Sequence, residues 1–291
     1  MSASARIRRN PGVRIAVLAG GGLALLILLQ SAASAVLRTV PGPALAATQL
    51  AAELLVCLLM ILAYRAAVRA LERRAAAEIA LGGSLRLLIP GALLGGALFT
   101  SVYAILWAAG IARVEGSGAL GGAIGALGAA CAAAVAEEII FRGALYRIVA
   151  ERLGTTAALV FSAALFGLLH AANHGATVTS SVAIALEAGV LLAAAYAATR
   201  TLWLPIGIHF GWNFTEGGIF GAVVSGGHSR GLLKIALAGP DLWTGGAFGP
   251  EASLVAVLVC LVAAALLIRR AVRRGLWRGL RQQLELNERR I

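Results

Sequence analysis

Apolar runs about as long as a membrane is thick alternate along this chain with short polar segments rich in arginine. A bilayer core takes about 20 apolar residues as helix. Reading for such runs predicts eight helices, at roughly 15–37, 45–64, 87–109, 118–140, 156–172, 180–198, 202–222 and 252–268. The polar segments between them differ in charge. With the N-terminus inside and the spans alternating, 21 of the 25 Lys and Arg fall on inner segments, and 4 fall outside: Arg38, Arg113, Arg230 and Lys234. Lys and Arg accumulate on the cytoplasmic side of membrane proteins. The pattern therefore predicts an all-α fold, a polytopic membrane helix bundle of about eight transmembrane helices. It would form one membrane domain over residues 1–291, multi-pass in the cytoplasmic (inner) membrane, with both termini cytoplasmic.

Composition agrees with that class. The 291 residues are 60% hydrophobic and 13% charged, with a mean hydropathy of +0.88, whereas soluble domains carry about 25% charged residues. The net charge of +12 would suit a nucleic-acid binder. Its confinement to inner segments accounts for it without one, so the expected partner is the lipid bilayer and not nucleic acid. Arg6–Arg14, an apolar stretch and Ser31–Ala35 together resemble a cleaved signal peptide. The apolar run continues to Leu37, however, which is long for such a region. Cys57, Cys131 and Cys260 lie far apart in apolar segments and read as buried thiols, with neither a disulfide framework nor a Cys-based metal site.

Two polar segments, 65–86 and 269–291, have helix-forming composition and many arginines. They are expected to be cytoplasmic amphipathic segments lying on an anionic leaflet. Residues 223–250, rich in Gly with Pro240 and Pro250, read as an outer loop with one partly apolar turn at 232–237. Gly118, Gly121, Gly122, Gly125 and Gly128 form overlapping small-xxx-small pairs, which let membrane helices approach closely. They would draw the fourth helix into the bundle interior.

That helix carries the first chemical signal. Glu137 and Glu138 end its apolar run, and a carboxylate at membrane depth is expensive enough to mark a functional site with a partner. Arg142 is four residues beyond Glu138, so on a helix the two share a face and can pair. Glu137 is turned about 100° away. The plainer reading is that both acids cap a span at the interface, with Arg142 at the membrane edge. Glu137 would then lie only about 8 Å deep at 1.5 Å per residue, well short of His170. A helix that runs on through Arg142 brings the depths together and requires Arg142 to be buried.

The second signal is Phe166-x3-His170, and the third is His209-x3-Asn213, an imidazole and an amide on one face of the seventh helix. Taken singly, such residues serve as structural hydrogen-bonding groups. His174 makes a His-x3-His spacing with His170, but neighbouring Asn173 and Gly175 place it in a loop, and His228 in its Gly-rich loop reads as solvated. A carboxylate, two imidazoles and an amide from separate helices could converge. Such a set suits hydrolysis by activated water, with a carboxylate as base and His or Asn donating to an oxyanion. There is no His-Glu-x-x-His.

Glu137-Glu138-Ile-Ile-Phe-Arg142, Phe166-x3-His170 and His209-x3-Asn213, in this order, resemble the motifs EExxxR, FxxxH and HxxxN/B of the CPBP family. That family, also called Abi, comprises type II CAAX-processing proteases and bacteriocin-processing or immunity proteins. The resemblance covers roughly 117–222, which would be the catalytic core. It implies Glu137 as the water-activating base, His170 as its partner in placing the water, and His209 and Asn213 as oxyanion donors. Glu138 and Arg142 would be a supporting ion pair. The family is commonly labelled metalloprotease, yet a glutamate-dependent mechanism without metal is equally open. Glu137, His170 and His209 are the candidate ligands for a divalent ion such as zinc.

The leading expectation is an intramembrane endopeptidase acting on a peptide or membrane-associated protein near the cytoplasmic leaflet. The alternatives are a catalytically idle scaffold or immunity-type binding protein, and a proton-coupled transporter. Against the transporter stand the absence of an internal repeat and of paired Pro-broken helices.

Overall fold

The computed structural model describes residues 10–227 and 230–288. Arg6, Arg8, Arg9, His228, Arg289 and Arg290 lie outside the described residues. The fold is an all-α membrane bundle. Six helical stretches are long and apolar enough to cross a membrane: Pro11–Leu37, Gly42–Glu72, Leu85–Ala108, Leu120–His170, Val178–Thr199 and Leu254–Arg273. We call the first three α1, α2 and α3. The fourth, of 51 residues, is two arms. Its first is α4 (Leu120–Glu138), continued by a wide π-helical segment over Ile139–Tyr146. Its second is α5 (Arg147–His170), whose helix breaks at Gly154, where φ is 83° and ψ 174°. Val178–Thr199 is α6. A shorter arm, α7 (Trp203–Asn213), runs on through a π segment at Phe214–Ile219, and Leu254–Arg273 is α8.

These arms alternate between two ends. At the basic end, Arg14 of α1 bridges Glu72 of α2 (2.8 Å) and Glu151 of α5 (2.7 Å), and Arg147 binds the same two acids at 2.8 and 2.9 Å. Arg74 pairs with Glu78 at 2.8 Å, and the 78–80 backbone accepts from the Leu202 amide and the Trp203 indole. Burial alone would raise the Glu78 carboxyl. Hydrogen bonds from Arg74 and Tyr64, with Arg147 nearby, hold it below the ordinary glutamate range instead.

Residues 65–86, expected as an amphipathic segment, are not one continuous helix. α2 runs to Glu72, the chain turns at Arg73 (φ 57°), and a 3-10 turn at Ala77–Ile79 buries Ile79 and Glu78 in the bundle. Glu72, Arg74 and Glu78 join a network inside the protein, whereas Arg65, Arg69, Arg73 and Arg86 stay exposed. The C-terminal segment is likewise tied to protein. The Arg278 carbonyl accepts from the Thr155 amide at 2.8 Å, and Gln283 of α9 (Leu280–Glu288) donates to the Glu151 carbonyl at 3.1 Å.

At the opposite end, 232–237 is no isolated turn. Strand β1 (Ala112–Ser117) pairs antiparallel with β2 (Leu233–Leu237), Ala112 facing Leu237 and Ser117 facing Leu233, with a bulge between Val114 and Gly116. Alternation over five residues is too short to stand out from an apolar turn, so the all-α reading missed this ribbon.

Small residues set the helix spacing. Gly128 of α4 packs on Leu50 and Glu53 of α2. The closest approach is between α3 and α7. A methyl group at Gly95 would overlap the Ile208 carbonyl, and one at Gly211 would overlap the carbonyl of Ala92. The α7 backbone, with His209 and Asn213, is thereby held directly against α3.

Candidate active site

The helix carrying the paired glutamates does continue past them. Arg142 is fully buried and donates from Nη1 to Glu138 Oε1 at 2.7 Å, with Glu138 also fully buried. A guanidinium at this depth needs more than one partner. Its Nη2 donates to the Gly189 carbonyl at 3.0 Å, and its Cζ lies 4.7 Å from the centre of the Phe166 ring, within cation–π range. The π segment begins immediately after Glu138, so Arg142 turns into the bundle while Arg147 reaches the basic-end network.

His209 sits between the two acids. Its Nδ1 is 3.3 Å from Glu138 Oε1 and its Nε2 is 4.0 Å from Glu137 Oε2. Glu137 differs from its neighbour in being partly open, with 21% of its side chain exposed, and its Oε2 has no hydrogen-bond partner. From α5, His170 Nδ1 contacts the Phe166 carbonyl at 2.8 Å, and the two rings lie 4.6 Å apart. With Nδ1–H donated to that carbonyl, Nε2 is left as the acceptor.

Glu137, His170, His209 and Asn213 all line one cavity of about 690 Å³. Glu138, Arg142 and Phe166 lie behind it: the pair is sealed from the cavity, and Phe166 both fixes His170 and stacks on Arg142. His174 lies in the turn after α5.

As for a metal, the chain offers Glu137 Oε2 and His209 Nε2 at 4.0 Å, and His170 Nε2 across the cavity. Among the described residues no three His, Cys, Asp or Glu side chains are grouped closely enough to hold a metal ion. The donor set does not fit a three-ligand zinc centre, and the chemistry proposed for the site is not routed through one.

Four polar residues escaped the sequence reading. Ser225, from the supposed outer loop, lines the same cavity and a second, inner one of about 20 Å³ shared with His170, His209, Asn213, Glu187 and Glu251. Ser225 has φ 49°, rare for a residue with a side chain. It is held by Glu251, which accepts from its amide at 2.8 Å and its hydroxyl at 2.7 Å, while its carbonyl accepts from Asn173 at 3.0 Å. Burial raises the Glu251 carboxyl above the usual carboxylate range, against the lowering effect of those donations. Glu187 accepts from the Cys260 thiol at 3.6 Å, and Glu216 from the Trp212 indole at 3.0 Å. Glu187 and Glu216 carried the same signal as Glu137, a lone acid in an apolar run. Glu251 and Ser225 had none, because their partners are distant in sequence.

Apolar helices enclosing a carboxylate–imidazole centre define an integral membrane protein with the parts of a hydrolase. Residues 119–215 match the family model described as Type II CAAX prenyl endopeptidase Rce1-like. The segment bearing the site is thus similar to the CPBP, or CAAX-protease, family. No curated protein and no solved structure matches the chain.

Proposed function

We propose that this protein is an intramembrane endopeptidase that hydrolyses a peptide bond with water activated by Glu137. One observation carries the reading. Of the two adjacent carboxylates, Glu138 is fully buried in its pair with Arg142, whereas Glu137 lines the cavity, is partly open and has no guanidinium partner. A water between Glu137 and His170 would give one hydrogen to each acceptor, the carboxylate and Nε2. Glu137 takes the proton as the oxygen attacks the scissile carbonyl, then returns it to the leaving amine.

Asn213 donates from its amide to the developing oxyanion. His209 uses Nδ1–H on Glu138, so Nε2 is a second donor in the doubly protonated ring. Two carboxylates, a guanidinium and an imidazolium sum to zero charge, which suits a centre at membrane depth. Phe166 and Arg142 act on geometry, not on substrate.

The eight alternating arms read as eight crossings. The sequence segments assigned to that side carry 21 of the 25 Lys and Arg, which puts the basic end toward the cytoplasm of an inner membrane. The matched family makes a prenylated peptide ending in a CAAX sequence the first substrate to test. The experiment incubates detergent-solubilised wild type and Glu137→Gln with a farnesylated CAAX peptide, and follows products by mass spectrometry with and without chelator. Loss of product with Glu137→Gln and indifference to chelator is expected. Equal product from both proteins would sink the mechanism.

A further inference from the structure

His170 is the last residue of α5, and helix ends fray unless something outside the helix holds them. The turn that follows it is held. The Asn173 amide donates back to the His170 carbonyl at 3.1 Å, and the Asn173 side chain donates to the Ser225 carbonyl at 3.0 Å. Ser225 is gripped in turn by Glu251, whose Oε1 accepts from both its amide and its hydroxyl. A second line of contacts runs beside the first. The Gly226 amide donates to the carbonyl of Phe248 at 2.7 Å, and Phe248 is fully buried. A methyl group at Gly226 would overlap the His174 carbonyl, and one at Gly249 would overlap the carbonyl of Val223. Three stretches far apart in sequence, 170–175, 223–227 and 247–251, are thus clasped together beside the imidazole.

Ser225 is fully engaged in this clasp. Its amide and hydroxyl protons go to Glu251 and its carbonyl to Asn173, so it has no proton left to give a substrate. What these bonds fix is its backbone, because φ 49° is a conformation that a side chain disfavours. Bonds to a carboxylate are roughly twice as strong as neutral ones, which suits them to holding a strained turn. Glu251 is itself anchored. It lies just before α8, whose first turn is capped by Ser253, its hydroxyl oxygen accepting from the Ala256 amide at 3.1 Å. The clasp therefore ties the end of α5 to the start of α8.

We infer that Glu251 is a positioning residue for hydrolysis: through Ser225 and Asn173 it holds the end of α5, and so keeps His170 aimed at the water on Glu137. The inference rests on the hydrolytic reading of the site. The bond from Nδ1 to the Phe166 carbonyl orients the ring on its own helix but does not place that helix end in the bundle. Ser225 lines the cavity shared by Glu137, His170, His209 and Asn213, so the clasp acts where that placement matters.

The test reads position without needing turnover. Full-length protein in detergent is followed by hydrogen–deuterium exchange, as wild type and as Glu251→Ala, Asn173→Ala, Ser225→Val and Glu251→Gln. Glu251→Ala and Asn173→Ala should each speed exchange in peptides covering 166–176 about tenfold, the effect of losing one good hydrogen bond. Peptides covering 139–153 should keep the wild-type rate. Ser225→Val, which resists the left-handed turn, should act like Glu251→Ala. Glu251→Gln offers a carbonyl to both donors and should recover most of the protection. On the farnesylated peptide, Glu251→Ala and Asn173→Ala should lower kcat about a hundredfold with KM within about twofold, as a misplaced catalytic group does.

Unchanged exchange over 166–176 in Glu251→Ala and Asn173→Ala overturns the inference, as does exchange that rises equally along the whole chain. A loss of kcat without faster local exchange overturns it too, because Glu251 would then act on the reaction directly. Covalent labelling of Ser225 by a fluorophosphonate would make that serine a nucleophile and have the same force. If Glu251→Ala does not fold, Asn173→Ala, at a half-exposed side chain, decides the matter. A wild-type protein that cleaves no peptide still reports its exchange, so failure of the peptidase reading is separable from failure of the clasp.

Discussion

Replacing Glu138 with Gln keeps the shape of the side chain and an acceptor oxygen for Arg142 but removes the charge that balances it. Losing one partner of a buried ion pair costs about 3–5 kcal/mol, because the survivor stays buried without compensation. Arg142 would keep the Gly189 carbonyl and the face of Phe166, so the lower figure, about 3 kcal/mol, applies. Large domains lose about 2–4 °C of melting temperature per kcal/mol, giving a drop of about 6–12 °C.

Intrinsic fluorescence of the five tryptophans during heating in detergent would read it. Arg142→Met should cost a similar amount, since it strands Glu138. The double variant should lose less than the sum of the singles by at least about 1 kcal/mol, the coupling expected of groups in contact. A Glu138→Gln protein melting within about 1 °C of wild type would refute the reasoning. Additive single effects would refute it as well.

Other expectations are as direct. Glu137→Gln should lower cleavage of the farnesylated probe at least a thousandfold while leaving the melting temperature within about 2 °C, since that carboxylate is partly open and its nearest cationic group, His209 Nε2, is 4.0 Å away; the two assays run side by side check this. Gly211→Val should destabilise the protein by about 3 kcal/mol or more and abolish cleavage, because the side chain would meet the Ala92 carbonyl and push α7 from α3; melting temperature and product yield report the two losses. Glu78 sits below its ordinary value, so its stabilising contribution is complete at neutral pH and fades as pH falls below about 4.5. Glu78→Gln should therefore flatten the acid side of the stability profile, measured by melting temperature from pH 7 to 3.

Much of this site was legible because its residues violate their surroundings. Glu137, Glu138, His170, His209 and Asn213 are polar groups in apolar helical runs, and helical spacing says which pairs share a face. Hence the burial of Arg142 could be required from spacing and depth alone. Glu187 and Glu216 were equally anomalous, but each stands alone, and no spacing ties them to one another. Ser225 and Glu251 were invisible for a different reason. Glycine-rich loop sequence specifies turns but not where the turns dock, and the contact between positions 225 and 251 is made by tertiary packing. The inward half of 65–86 escaped for the same reason: charge pattern alone does not show that Glu72 and Glu78 turn inward to Arg147 while Arg65, Arg69, Arg73 and Arg86 stay exposed.

The π-helical turn at Ile139–Tyr146 has a consequence for the tolerance of this chain to change. A π segment is an α-helix holding more residues than its register asks for, so it sets the rotational phase between the helix before it and the helix after it. Upstream lies Glu137; downstream lies Arg147, moored to the other arms. A one-residue deletion within the π turn would let the segment relax toward ordinary helix with little change of that phase, whereas a deletion at 129–134, in the α-helical part of α4, would turn Gly128, packed on α2, by about 100° against Glu137. The π turn thus holds slack in length that the rest of α4 lacks.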